Sequence, residues 1–320
     1  MWVFSDINNN ISNIINCKAL LLLIFQYLNI YIKLILMKEH DFIEIIKKQT
    51  NSPYLGDDCA YLKEFNLVVT QDNFVEDVHF KREWATAYQI GYKAAVVNIS
   101  DILASGAKPQ FLSVGLSIPN LGNDFISDFY KGLEAGSYGA KIIGGDITAA
   151  DKIFISITAI GSTKGRRISS RSFAKPDFVV ISSGDFGESS LGLQELFNGK
   201  RGTKAIKTHL EPILDENFSK NISTKIDTNY AMMDTSDGLA DALFQIAKSS
   251  NVKIVTDYIE GMFGAEDYRL VAAIPKEFLN NIENYNLIGK VKPFDGAYLE
   301  ISGKKIFNYD ELNLYDHFSL

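Results

Sequence analysis

The chain has 320 residues, length enough for two domains, and with 46% apolar and 22% charged residues it can build packed cores, which excludes a disordered chain. A net charge of −7 without a long basic run disfavours a nucleic-acid partner, although a small anionic substrate stays open where a metal supplies positive charge. Two cysteines, Cys17 and Cys59, and four scattered histidines make neither a disulfide framework nor a His/Cys zinc site, and they fit a reducing cytoplasm.

Ala19 to Leu36 is nearly continuous apolar sequence of about membrane-spanning length, broken by Gln26, Asn29 and Lys33. Two readings stand: residues 1–36 are an extension upstream of a start at Met37, or they are a membrane anchor. From Met37 the pattern is that of a soluble enzyme. Asp41 to Lys48 repeats apolar residues at helical spacing, and Asn66 to Thr70 predicts a strand. Ala85 to Ala107 predicts an Ala-rich helix, Phe111 to Ile118 a strand ended by Pro119, and Asp124 to Tyr138 a helix. Ala140 to Ile143 and Ile153 to Ile160 read as strands flanking Gly144-Gly145-Asp146. The basic, turn-rich Gly161 to Arg171 reads as a domain junction. Beyond it come a strand at Phe178 to Ser182, helices at Ser189 to Phe197 and Leu239 to Ser249, and a strand at Val252 to Thr256. The irregular alternation points to α+β layers.

The chemistry-bearing signal lies in aspartates beside Gly, Ser or Thr: Gly56-Asp57-Asp58, Thr70-Gln71-Asp72, Ser100-Asp101, Gly145-Asp146 and Asp234-Thr235-Ser236-Asp237-Gly238. Hard oxygen donors of this kind suit Mg²⁺ bridged to a substrate phosphate. Any one of these segments alone is better explained as a turn or helix cap than as a ligand. Asp101 is the exception, because it falls inside a helical pattern where a cap has no use and a buried carboxylate needs a partner. No P-loop or protein-kinase glycine loop is present, so any handling of ATP goes through metals and aspartates.

Taken in order, Gly56 to Ala60, Thr70 to Phe80, Lys93 to Pro109, Gly144 to Thr148, Asp234 to Leu239, Glu266-Asp267-Tyr268 and Tyr315 to Phe318 resemble the thiamine-monophosphate kinases. The resemblance runs from about Met37 to the C-terminus. It implies the two-domain α/β fold shared with aminoimidazole ribonucleotide synthetase: residues 37–165 bind ATP and metal and pair in a homodimer, and residues 166–320 form the second domain. It implies ATP- and Mg²⁺-dependent phosphorylation of thiamine monophosphate in the cytoplasm. Position by position, Asp58, Thr70, Gln71, Asp72, Asp101, Asp146, Asp234 and Asp237 look like metal ligands. Tyr130, Gly145, Asp146, Arg171 and Ser236 look like ATP contacts, and His79, Glu266 and Tyr315 look like the substrate side. Gln71 stands where the family usually has Thr and can still offer its backbone or amide oxygen.

The chain departs from the family pattern at Ala265 and Arg269, and around Arg171 to Phe178, which lacks two glycines. Between the strand at 252–256 and Glu266 it also lacks a segment of roughly 20 residues, which implies a shortened second domain. Two other readings remain: an enzyme of the same fold with a different substrate, such as aminoimidazole ribonucleotide synthetase, selenophosphate synthetase or a hydrogenase-maturation protein, or a catalytically weakened nucleotide-binding homologue.

Overall fold

The computed structural model describes residues 39–315. The apolar stretch 19–36 lies outside them. Among the described residues no helix is long and apolar enough to cross a membrane. Of the described residues, 39–53 and Tyr315 belong to one unit, which holds helix α1 (Glu39–Thr50) with a Lys47–Glu44 ion pair of 3.2 Å. Residues 54–314 make the other unit, which holds both sheets.

The first sheet has the order β1 (Ala60–Leu62), β2 (Leu67–Val75), β5 (Phe154–Ser162), β3 (Lys108–Ile118), β4 (Lys141–Ala149). Only β3 and β4 run parallel, joined by helix α3 (Gly122–Ala135). One face is covered by helix α2 (Ala87–Ala104), which starts where Thr86 and Gln89 form a reciprocal capping box. Helices α2 and α3 lie close because glycines remove the side chains between them: a Cβ on Gly91 would meet the Phe129 carbonyl oxygen at 2.0 Å, and one on Gly132 the Tyr88 oxygen at 1.9 Å. Strand β4 runs through Gly144-Gly145-Asp146 rather than stopping before it. The glycines break the β-propensity pattern without breaking the strand: Gly145 has φ +151°, and its missing Cβ leaves room for the Val114 carbonyl on β3.

The second sheet has the order β12 (Lys304–Ile306), β11 (Leu299–Ile301), β8 (Val252–Thr256), β10 (Asn286–Pro293), β6 (Phe178–Ser182), β9 (Leu270–Pro275), β7 (Ala231–Asp234). Its strand β9 is buried on both faces. Leu270, Ala272 and Ile274 join a core with Ile99 and Leu103 of α2 and with Phe218 and Ile222 of helix α6 (Glu216–Lys225). Val271 and Ala273 point the other way, into a core with Leu243, Phe244 and Ala247 of helix α7 (Leu239–Ser250). Helices α4 (Glu188–Phe197) and α5 (Lys204–Leu210) pack on each other. Edge strand β7 meets α2, and this contact carries Asp234 to the helix that bears Asp101.

Candidate active site

Four elements deliver carboxylates to one place. Asp58 precedes β1, Asp72 lies on β2, Asp101 on α2, and Asp234 ends β7. Oxygens of Asp58, Asp101 and Asp234 all lie within 4.8 Å of one another. Each of the three is oriented by a donor. Thr70 Oγ1 donates to Asp101 Oδ2 at 2.6 Å, Ser100 Oγ donates to Asp234 Oδ2 at 2.6 Å, and Arg171 Nη2 lies 2.6 Å from Asp58 Oδ1. Thr70 and Asp72 share a face of β2 because side chains two apart on a strand point the same way. Asn98 holds that strand in place by accepting from the Asp72 backbone N–H at 3.1 Å. The neighbouring Asp57 is a turn residue, accepting from the Arg171 N–H and the Ser170 hydroxyl.

Buried carboxylates this close disfavour one another's charge. Burial, then Asp72, Asp234 and Asp58, raise the Asp101 carboxyl well above its ordinary value, against the Thr70 hydrogen bond. Burial and Asp58 push Asp234 up to about 7. Arg171 keeps its charge despite desolvation, because Asp58 more than offsets it. Its Nε is buried and makes no hydrogen bond, which leaves a donor for an incoming anion. Converging hard oxygens, each oriented by a neighbour, fit Mg²⁺ as a guest.

Other expected residues stand apart from this cluster. The Gln71 side chain emerges from the opposite face of β2, donating to Ser156 Oγ at 3.2 Å and accepting from Thr158 Oγ1 at 3.0 Å on β5. Gly145 and Asp146 sit on exposed β4, three strand spacings or roughly 14 Å along the sheet from β2. Tyr130 is half-buried on α3, edge-on to Phe129. Exposed Asp237 lies just before α7, and Ser236 accepts from the Glu266 N–H at 2.7 Å.

On the expected substrate side, His79 Nδ1 accepts from the Val75 N–H at 3.1 Å. Its ring lines a cavity walled also by Phe74, Trp84, Gln89, Lys93 and His209. Glu266 Oε1 lies 3.0 Å from Lys93 Nζ, and Glu266 Oε2 lies 3.6 Å from His209 Nδ1. Lys93 and His209 were not among the expected site residues. Lys93 had a signal, a lysine within an otherwise apolar helical stretch; His209 had none. Tyr315, exposed, is the last described residue and belongs to the unit of α1.

Residues 56–163 match the family model "AIR synthase related protein, N-terminal domain". The thiamine-monophosphate kinase of Aquifex aeolicus is 31% identical over 299 residues, covering 84% of this chain and 95% of that protein. The thiamine-monophosphate kinase of Bacillus subtilis is 33% identical over 256 residues, covering 70% of this chain and 78% of that protein. Among solved structures, "AaThiL complexed with AMPPCP and TMP" superposes with a TM-score of 0.78 at 30% identity, covering 88% of this chain and 97% of that one.

Proposed function

The chain belongs to the thiamine-monophosphate kinase family, and from that premise we propose that it transfers the γ-phosphoryl group of ATP to the phosphate of thiamine monophosphate, giving ADP and thiamine diphosphate. The observation that carries this reading is the convergence of Asp58, Asp101 and Asp234. Phosphoryl transfer between two polyanions needs positioning and charge neutralisation more than covalent chemistry, and this cluster is built to concentrate positive charge.

In this reading Mg²⁺ would be held by Asp58, Thr70, Asp72, Asp101 and Asp234, while Asp146 and Asp237, outside that cluster, would serve as carboxylates for a further cation on the nucleotide. Bound there, it would neutralise the triphosphate and the developing charge on the transferred group. The protein's own groups do the rest. Thr70 and Ser100 fix the rotamers of Asp101 and Asp234 before ATP arrives. Arg171 turns its unpaired Nε to a phosphate oxygen while Asp58 keeps the guanidinium in place. Gly145, Tyr130 and Ser236 would contribute contacts to the nucleotide. His79 and Glu266 take the thiamine phosphate, with the Glu266 carboxylate facing a cationic ring. The Gln71 side chain has no part, being spent on β5.

We assign residues 37–165 and 166–320 to two domains, the second shortened, with the first sheet built from 60–162 and the second from 178–306. The working form is a homodimer joined through β4, every residue of which is exposed, including Ile142, Ile143 and Ile147. Its place is the cytoplasm, where ATP is abundant and a free buried thiol such as Cys59 stays reduced. The test is incubation of the chain with ATP, Mg²⁺ and thiamine monophosphate, followed by mass analysis. Thiamine diphosphate that fails to form when EDTA is added supports the reading. ATP binding without that product removes the substrate assignment.

A further inference from the structure

We propose that Lys93 is a positioning residue for catalysis, acting through Glu266: its buried ammonium holds that carboxylate in place for the cationic part of the substrate. The inference rests on the reading of Glu266 as a substrate contact.

The Lys93 side chain is only 3% exposed, and an isolated ammonium there would be strongly disfavoured. Its compensation is specific. Nζ lies 3.0 Å from Glu266 Oε1 and 3.5 Å from His209 Nε2. Burial, then the Lys93 charge, hold His209 down at about 4, so the ring is neutral at physiological pH. A neutral imidazole has one acceptor nitrogen. With Nε2 facing the ammonium, the proton sits on Nδ1, which lies 3.0 Å from Ser189 Oγ. Ser189 in turn gives its backbone N–H to Asp267 at 3.1 Å, and Asp267 also takes the Gly187 N–H, which together hold the start of α4. The contacts close a ring: Glu266, Lys93, His209, Ser189, Asp267, and back along the chain to Glu266.

That ring clamps a segment with little regular structure of its own. The connection 257–269 between β8 and β9 consists of turns and coil. Glu266 within it has φ +64°, a left-handed conformation that a non-glycine residue holds only when its surroundings impose it. Desolvation alone would push the Glu266 carboxyl up, but the Lys93 charge, the largest of the opposing causes, keeps it below its ordinary value, hence ionised. Helix α2 therefore carries Asp101 at the metal cluster and, two turns earlier, the lysine that sets the charge on the substrate side. Lys93 and His209 also wall the cavity that His79 lines.

The experiment is steady-state kinetics on the full chain with both substrates varied, for Lys93→Met, Lys93→Arg, Glu266→Gln and Lys93→Met/Glu266→Gln, with circular dichroism to confirm folding. Lys93→Met is expected to raise KM for thiamine monophosphate at least tenfold while KM for ATP stays within twofold, and Lys93→Arg to recover part of the loss. A normal KM for thiamine monophosphate in Lys93→Met, with Glu266→Gln impaired, overturns this inference alone. A normal KM in Glu266→Gln removes the substrate assignment of Glu266, and this inference with it. If Lys93→Met fails to fold because Glu266 is left unpaired, the double variant, which lacks both charges, decides. A KM equal to that of Glu266→Gln supports positioning, and a further rise means that Lys93 acts on the substrate directly and overturns it.

Discussion

Thr70 and Asp101 come from different elements, strand β2 and helix α2, and meet across a 2.6 Å hydrogen bond from hydroxyl to carboxylate. The bond partly offsets the burial and the neighbouring carboxylates that raise the Asp101 carboxyl. Thr70→Val keeps the β-branched shape and removes the donor. A hydrogen bond to a charged group contributes about 1.5–3 kcal/mol, so the Mg²⁺ concentration for half-maximal turnover is expected to rise on the order of tenfold. Mg²⁺ titration of the steady-state rate checks this; an unchanged Mg²⁺ requirement would separate Thr70 from the metal site.

Asp234 makes the metal-free protein sensitive to pH in a defined direction. Its carboxyl moves from the ordinary 3.8 to about 7 on folding. Below both values the folded and unfolded chains are equally protonated at this site and the stabilisation is complete. Between them the folded chain holds more protons, so stability falls as pH rises and the loss is complete above about 7. His209, held neutral at about 4, works the opposite way between pH 4 and its ordinary 6.5. The difference between variants isolates Asp234: in EDTA, Asp234→Asn should gain thermal stability relative to wild type as pH rises from 4 to 7.5. Each kcal/mol corresponds to roughly 2–4 °C in Tm for a domain of this size. Thermal melts that shift in parallel across that range would refute the coupling.

Gly145 tests the backbone of β4. A Cβ there would meet the Val114 carbonyl oxygen at 1.8 Å, at a φ of +151°. Backbone does not give way as a flexible side chain does, so Gly145→Ala is expected to destabilise the chain by about 2–4 kcal/mol, in the range of strain at special backbone positions. Denaturant unfolding measures it.

Gln71 separates strand register from sequence adjacency. It stands between Thr70 and Asp72, yet its amide is bonded to Ser156 and Thr158 on β5. Gln71→Ala should leave the Mg²⁺ requirement within twofold of wild type and lower stability by about 0.5–1.5 kcal/mol per lost neutral hydrogen bond. A tenfold change in the Mg²⁺ titration would bring the amide into the site.

Much of this was legible in the sequence because local pattern and global role agree there. Val252–Thr256 and Leu239–Ser250 follow periodicity and end at turn residues, and the strand and helix appear where that pattern places them. Asp101 was singled out because a carboxylate in a helical pattern has no local use, and the structure gives it Thr70 as a partner from a distant strand. The β7 strand was missed because Ala231–Asp234 is four residues long and buried throughout, leaving no alternation to read. The sequence pattern ends strand β4 at Ile143 because glycines mark turns by propensity, whereas here the strand continues and Gly145 makes room for the neighbouring strand. His209 could not be found from sequence, since its role depends on Lys93 and Glu266, 116 and 57 residues away.

The proposed phosphoryl transfer depends on Asp58, Asp101 and Asp234 forming one cation site. The most direct test is Mn²⁺ binding followed by electron paramagnetic resonance in the presence of ATP, with turnover of thiamine monophosphate measured on the same samples of wild type and Asp101→Asn. Folded Asp101→Asn is expected to bind Mn²⁺ at least tenfold more weakly and to lose product formation in parallel. Wild-type Mn²⁺ affinity and turnover in that variant would contradict it.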